Sequence, residues 1–178
     1  MRVLGIDPGL HICGYGCLDA GGSGIRLVEA GVIRTEARST LSQRLCRIAA
    51  DLDQLLDDLS PDVLAIEQLY SHYAHPRTAI LMGHARGVIL HRCAARQIEI
   101  RHFAATRIKK SVTGNGRASK AQVQRTVQTL LGLSKLPEPP DVADALAAAM
   151  WCADAMRGGG KEFRSRKTEV GSKESDLP

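Results

Sequence analysis

The sequence predicts a single α/β domain built on a mixed sheet. Three observations carry this. Apolar, β-type runs open the chain, punctuated by Pro8-Gly9 and by Gly21-Gly22-Ser23-Gly24. From Thr40 the apolar period lengthens to three- and four-residue steps. A short apolar run, Val63-Leu64-Ala65-Ile66, returns after that helical stretch. A helix between two buried strands is a crossover, so those strands can lie parallel and adjacent.

Arg2 to Ile6 is the first strand, and it delivers Asp7 into the Pro8-Gly9 turn. Ile12 to Leu18 suits a second strand beside it, and Ile25 to Arg34 a third, which makes an antiparallel meander. Leu41, Leu45, Ile48, Leu52, Leu55, Leu56 and Leu59 define an amphipathic helix with an acidic outer face, stopped by Ser60-Pro61-Asp62. The fourth strand ends at Glu67, repeating the opening pattern, so Asp7 and Glu67 should emerge on one edge of the sheet. Tyr70 to Pro76, with His72, Tyr73 and His75, reads as a substrate-contacting loop; no histidine pair there has the helical spacing of a metal site.

Arg77 to Arg96 is the second helix. Its centre, Met82-Gly83-His84-Ala85-Arg86-Gly87, is rich in small residues, which predicts close packing against another backbone. Ile98 to Phe103 is a fifth strand. Arg107 to Thr113 is a basic helical segment, followed by Gly114-Asn115-Gly116 and by a Ser119 N-cap before a helix over Lys120 to Leu131. Helix starts of this kind suit phosphate, and the same pattern also describes an ordinary helix–turn–helix connection. Pro137-Glu138-Pro139-Pro140 is a stiff linker into a strong helix former, Asp141 to Met150. The ordered domain is expected over 1–157, with a polar, disordered tail over 158–178.

The 178 residues suffice for one domain with a real core and not for two. Five cysteines with no CxxC pair read as reduced thiols of a cytosolic protein. No run of about 18 apolar residues predicts a membrane span, and no charged-then-apolar leader precedes the first strand. Net charge is +5, but six acids fall between Asp51 and Glu67, whereas Gln68 to Pro137 carries twelve Lys or Arg against Glu99 alone. That asymmetry suggests a polyanionic partner. Aromatic residues are 3% of the chain, too few for a large base-stacking platform.

Four carboxylates have comparable settings: Asp7 and Glu67 at strand ends, and Asp141 and Asp144 three apart on one helical face. Asp7 also fits a turn residue and Asp141 a partner for the helix dipole. Gathered together, such acids repel unless cations join them. Oxygen-only donors favour Mg²⁺ or Mn²⁺, and two such ions suit phosphodiester cleavage.

The runs Leu4-Gly5-Ile6-Asp7-Pro8-Gly9 with Gly14-Tyr15-Gly16, Ala65-Ile66-Glu67-Gln68, Ala85-Arg86-Gly87-Val88, Lys120-Ala121-Gln122-Val123-Gln124 and Asp141-Val142-Ala143-Asp144-Ala145-Leu146-Ala147 occur in this order. Together they resemble the RuvC family of bacterial Holliday junction resolvases, from Met1 to about Arg157. The resemblance implies an RNase H-like fold, a mixed five-stranded sheet flanked by helices. It implies a cytoplasmic, structure-selective endonuclease that acts as a homodimer on four-way junction DNA and makes paired symmetric nicks in recombination and DNA repair. Branch-migration proteins of the RuvA and RuvB type are the implied partners.

By position, Asp7, Glu67, Asp141 and Asp144 match the catalytic acids, holding two Mg²⁺ per site with Mn²⁺ as a substitute. Lys109 and Lys120 match DNA-holding lysines, and Tyr70 stands where relatives have a stacking Phe. Arg77 and Arg117, from the basic run, are further candidate DNA contacts. The Arg77 to Arg96 helix matches the dimer-forming element. The 71–76 loop departs from the family pattern, being one residue longer and carrying histidines, which bears on cleavage-site preference. Three rivals remain: an actin-like or sugar-kinase ATPase, whose phosphate loop also resembles Gly-Ile-Asp-Pro-Gly; a non-catalytic junction-binding module; and an RNase H-like nuclease acting on RNA.

Overall fold

The computed structural model describes residues 1–22, 24–68 and 76–158. Tyr70 and the loop histidines His72 and His75 lie outside the described residues, as does the tail beyond Gly158. The elements in chain order are β1 (Arg2–Asp7), β2 (Ile12–Gly21), β3 (Gly24–Arg34), α1 (Leu41–Leu59), β4 (Val63–Glu67), α2 (Pro76–Ala95), β5 (Glu99–Phe103), α3 (Ala105–Thr113), α4 (Lys120–Leu131) and α5 (Pro140–Met156). They form one five-stranded sheet in the order β3-β2-β1-β4-β5. The meander β1-β2-β3 is antiparallel. After the α1 crossover, β4 lies parallel to β1, and β5 parallel to β4.

Alternation along the central strands divides the core in two. Leu4, Ile6, Leu64 and Ile66 face α1 and α2, where they meet Ile48, Leu52, Ala85 and Ile89. Val3, Val63 and Ala65 face the other way, towards Ile108 of α3, Val123 of α4 and the apolar residues of α5. Asp7 and Glu67 continue this second alternation, so both acids belong to the α5 face of the sheet.

Helix α1 starts at a capping box: Gln43 N donates to Thr40 Oγ1 at 3.4 Å, and Thr40 N donates to Gln43 Oε1 at 2.9 Å. The acidic face expected to point outward is in part a seam. Asp53 accepts from Arg92 Nε at 2.8 Å and from Arg96 Nη1 at 2.7 Å, and Asp57 from Arg96 Nη2 at 3.1 Å. Helices α1 and α2 lie side by side, so carboxylates at their junction meet guanidiniums, and two members of the basic run are engaged within the fold. The close packing expected at Gly83 and Gly87 is not made among the described residues either: a Cβ added at either would meet nothing there within 4 Å.

The close approach is elsewhere, between α5 and the sheet. A Cβ on Gly5 of β1 would lie 2.0 Å from Ala145 O, and one on Gly14 of β2 2.1 Å from Asp141 O. One on Gly16 would lie 2.5 Å from the Leu146 side chain. Helix α5 answers with Ala143, Ala145, Ala147, Ala148, Ala149 and Ala153, all buried. It runs past the expected Met150 to Met156, because Trp151 to Met156 contains no helix breaker and Trp151 packs edge-on against Phe103, with ring centroids 4.2 Å apart.

Gly5→Ala should cost about 3 kcal/mol or more in urea unfolding, since helix backbone must move. Gly21→Ala, where an added Cβ meets nothing within 4 Å, should stay within about 0.5 kcal/mol.

Candidate active site

The register of β1 and β4 puts the first two acids side by side. Ile6 pairs with Ile66, so Asp7 and Glu67 are the next residues on adjacent parallel strands and share a face. The α5 contact brings the other two. Asp141 O lies directly over Gly14, which is itself paired with Asp7, and Asp144 follows one turn along the helix. The route into α5 is held by buried Gln124, whose Nε2 donates to Pro137 O at 3.0 Å.

Two lysines arrive from α3 and α4. Ile108 and Val112 seat α3 in the core, which leaves Lys109 towards the acids. Helix α4 begins with a second capping box: Gln122 N donates to Ser119 Oγ at 3.2 Å, and Ser119 N donates to Gln122 Oε1 at 2.8 Å. Lys120 is its first residue, with Nζ 3.5 Å from Asp144 Oδ2 and 3.9 Å from Asp141 Oδ1. Asp7, Glu67, Asp141, Asp144, Lys109 and Lys120 thus line one cleft of about 540 Å³, together with Pro8 to His11 of the loop after β1 and Ile12 at the start of β2.

The cleft is electrostatically strained. Burial, then the charges of Asp144, Glu67 and Asp141, push the Asp7 carboxyl from 3.8 to about 8. Burial also raises Glu67, with Asp144 adding to it and Lys109 and Lys120 opposing. Asp144 is raised by burial despite the neighbouring Lys120 and Lys109. Burial alone would lower the Lys120 ammonium, but Asp144, Asp141 and Asp7 outweigh it, so its pKa rises.

Among the described residues no three potential ligands are drawn together closely enough to enclose an ion; the acids line the walls of the cleft instead. The donor chemistry nevertheless fits a hard divalent cation. All four donors are carboxylates, and the Asp7 proton is held mainly by burial and by repulsion from the other three, which a cation would offset.

Arg77 is exposed at the start of α2 and Arg117 is exposed in the turn before α4; neither lines this cleft. Tyr70 lies outside the described residues. Arg86, which the sequence marks only as part of the Ala85-Arg86-Gly87-Val88 run, braces the end of β4. Its Nε donates to Glu67 O at 3.1 Å, and its Nη2 lies 2.7 Å from His102 Nδ1 of β5. The available signal was an arginine on the sheet-facing side of a helix between two parallel strands.

A family model described as "Crossover junction endodeoxyribonuclease RuvC" matches residues 3–152. The chain belongs to the RuvC family. RuvC of Rhodopirellula baltica, a crossover junction endodeoxyribonuclease by name, is 48% identical over 148 residues, which covers 83% of each chain. The Thermus thermophilus RuvC structure matches with a TM-score of 0.77 at 30% identity, covering 89% of this chain and 98% of that one. T. thermophilus RuvC in complex with Holliday junction substrate matches with a TM-score of 0.79 at 27% identity, over the same shares. The sheet order and flanking helices are those of the RuvC structures, the RNase H-like fold.

The folded chain keeps a proton on Asp7 that the unfolded chain releases above about pH 4. Asp7's contribution to metal-free stability is therefore full below that pH and lost as pH rises through about 8. The metal-free melting temperature should fall between roughly pH 5 and 8.5. In Asp7→Asn the slope should flatten, leaving the variant several degrees more stable than the parent at the alkaline end.

Proposed function

We propose that this chain is a metal-dependent endonuclease that resolves four-way DNA junctions. The carrying observation is the gathering of Asp7, Glu67, Asp141 and Asp144 with Lys109 and Lys120 in one cleft, in a chain whose T. thermophilus relative is described with Holliday junction substrate. The four acids would hold Mg²⁺, two ions per site, with Mn²⁺ as a substitute. When bound, the ions supply activation of the attacking water and stabilisation of the leaving oxygen.

The chain's own residues hold and orient the substrate. The Lys120 ammonium, shared between Asp141 and Asp144, is close enough to turn to a phosphate oxygen once those acids are neutralised. Lys109, on the opposing helix, holds the same strand. Arg86 keeps the end of β4, and with it Glu67, from shifting as the acids close. Arg117 and Arg77 would follow the DNA backbone away from the cleft, and Tyr70 would stack on a junction base.

A homodimer making paired symmetric nicks suits a junction of approximate two-fold symmetry. Gly83, Gly87, Val88 and Ile80 of α2, with Leu45, Cys46 and Ala49 of α1, form an open and largely apolar groove. Ile80 is 61% exposed there, and a second copy would cover it. Action in recombination and repair in the cytoplasm, beside RuvA- and RuvB-type branch-migration proteins, follows from this reading. Among the described residues no helix is long and apolar enough to cross a membrane.

The test is incubation of the purified protein with a synthetic four-way junction and Mg²⁺, with cut sites mapped on all strands. Asp144→Asn should lower the cleavage rate at least about a hundredfold while junction binding persists. Near-parental cutting by that variant would remove Asp144 from the reaction.

Lys120→Ala should weaken junction binding and reduce the slope of log affinity against log salt by about 1. An unchanged slope with full activity would separate Lys120 from the DNA.

A further inference from the structure

The loop that follows Asp7 forms one wall of the cleft. Its near end is tied to β2: Gly9 N donates to Cys13 Sγ at 3.3 Å, and the Cys13 thiol donates to Gly9 O at 2.7 Å. Its far end is held by the residue that follows β3. Thr35 N donates to His11 O at 3.1 Å, and Thr35 Oγ1 donates to Leu10 O at 2.5 Å.

The same Oγ1 accepts from Arg44 Nε at 2.9 Å. Both capacities of the hydroxyl are therefore in use. Arg44 lies in the first turns of α1 and is only 8% exposed. Its Nη2 is buried with no hydrogen-bond partner among the described residues. A buried guanidinium with an open donor is destabilising, and an apolar side chain of similar size would pack there without that penalty. What an apolar residue could not do is orient the Thr35 hydroxyl. Donating into one lone pair, Arg44 turns the hydroxyl proton towards Leu10 O.

We propose that Thr35 and Arg44 are positioning residues for strand cleavage. They act through the backbone of Leu10 and His11, fixing the wall beside Asp7 so that the acids meet the scissile phosphate in a constant geometry. This role rests on the nuclease reading of the cleft. Neither residue touches the cleft itself, so the effect belongs on turnover and not on junction affinity.

Thr35→Val keeps the shape and removes both hydrogen bonds of the hydroxyl, whereas Thr35→Ser keeps them. The full chain would be assayed for junction cleavage with Mg²⁺, and separately, without metal, for amide hydrogen exchange over residues 9–12. Thr35→Val should lower kcat about tenfold or more with KM within about twofold. It should also speed exchange in that segment, while Thr35→Ser stays near the parent in both. Arg44→Met should move both readouts the same way; if it fails to fold, Thr35→Val decides alone. Parental kcat in Thr35→Val, a lower kcat without faster loop exchange, or a Thr35→Ser that falls as far as Thr35→Val would each overturn the role. An inactive parent chain would overturn the nuclease reading and this role with it, whereas an active parent with an unaffected Thr35→Val overturns this role alone.

Discussion

The structure depends on how near α5 comes to the sheet. Gly5, Gly14 and Gly16 remove the side chains that would hold a helix at ordinary distance, and the buried alanines of α5 remove them from the other side. At Gly5 and Gly14 the resulting contact is backbone against backbone, and at Gly16 the Leu146 side chain lies on the strand. Buried backbone contact of this kind leaves little room for sliding, because a shift along the strands would drive helix carbonyls into positions where glycine no longer faces them. Asp141 and Asp144 are thereby placed in register with strand ends that lie far away in sequence.

The strand–helix–strand pattern was legible because each of its signals is local. Periodicity changes at Thr40, Pro8-Gly9 and Ser60-Pro61 break the chain, and two apolar runs end in an acid. The parallel pairing of β1 and β4 follows from that pattern with almost no further information. Local rules also placed the Ser119 cap, whereas the sequence marked Thr40 only as a change of period. What was not legible depends on neighbours in space. The glycines of β1 and β2 read as small strand residues, and nothing local says that a helix lies on them. Gly83 and Gly87, which read as the close contact, meet no other part of the fold among the described residues. Asp53 reads as a solvated helix acid until α2 is laid beside α1.

The candidate site divides in the same way. Asp7 and Glu67 could be placed on one edge from the crossover pattern, two apolar runs that each end in an acid with a helix between them. Bringing Asp141 and Asp144 to them needed a tertiary contact that no local pattern encodes; the matching settings of the four acids suggested it, and the family resemblance assigned their role. The basic stretch after Glu67 reads as one feature and is in fact two. Arg92 and Arg96 close the α1–α2 seam, whereas Lys109 and Lys120 face the acids. Charge counted along a sequence cannot separate cations engaged inside the fold from cations left for a ligand. The cleft itself runs against stability, since burial and mutual repulsion hold Asp7 protonated well above the carboxylate range. Strain of this sort gathers where a fold serves chemistry.

The position of α5 in chain order has a consequence for synthesis. The sheet, both α1 and α2, and two of the acids leave the ribosome before the helix that supplies the other two. Until then the face carrying Asp7 and Glu67 lacks the helix that lies directly on it, and Gly5, Gly14 and Gly16 are left uncovered. A nascent chain, or one cut short by premature termination, is thus left with half a set of acids and an uncovered apolar face.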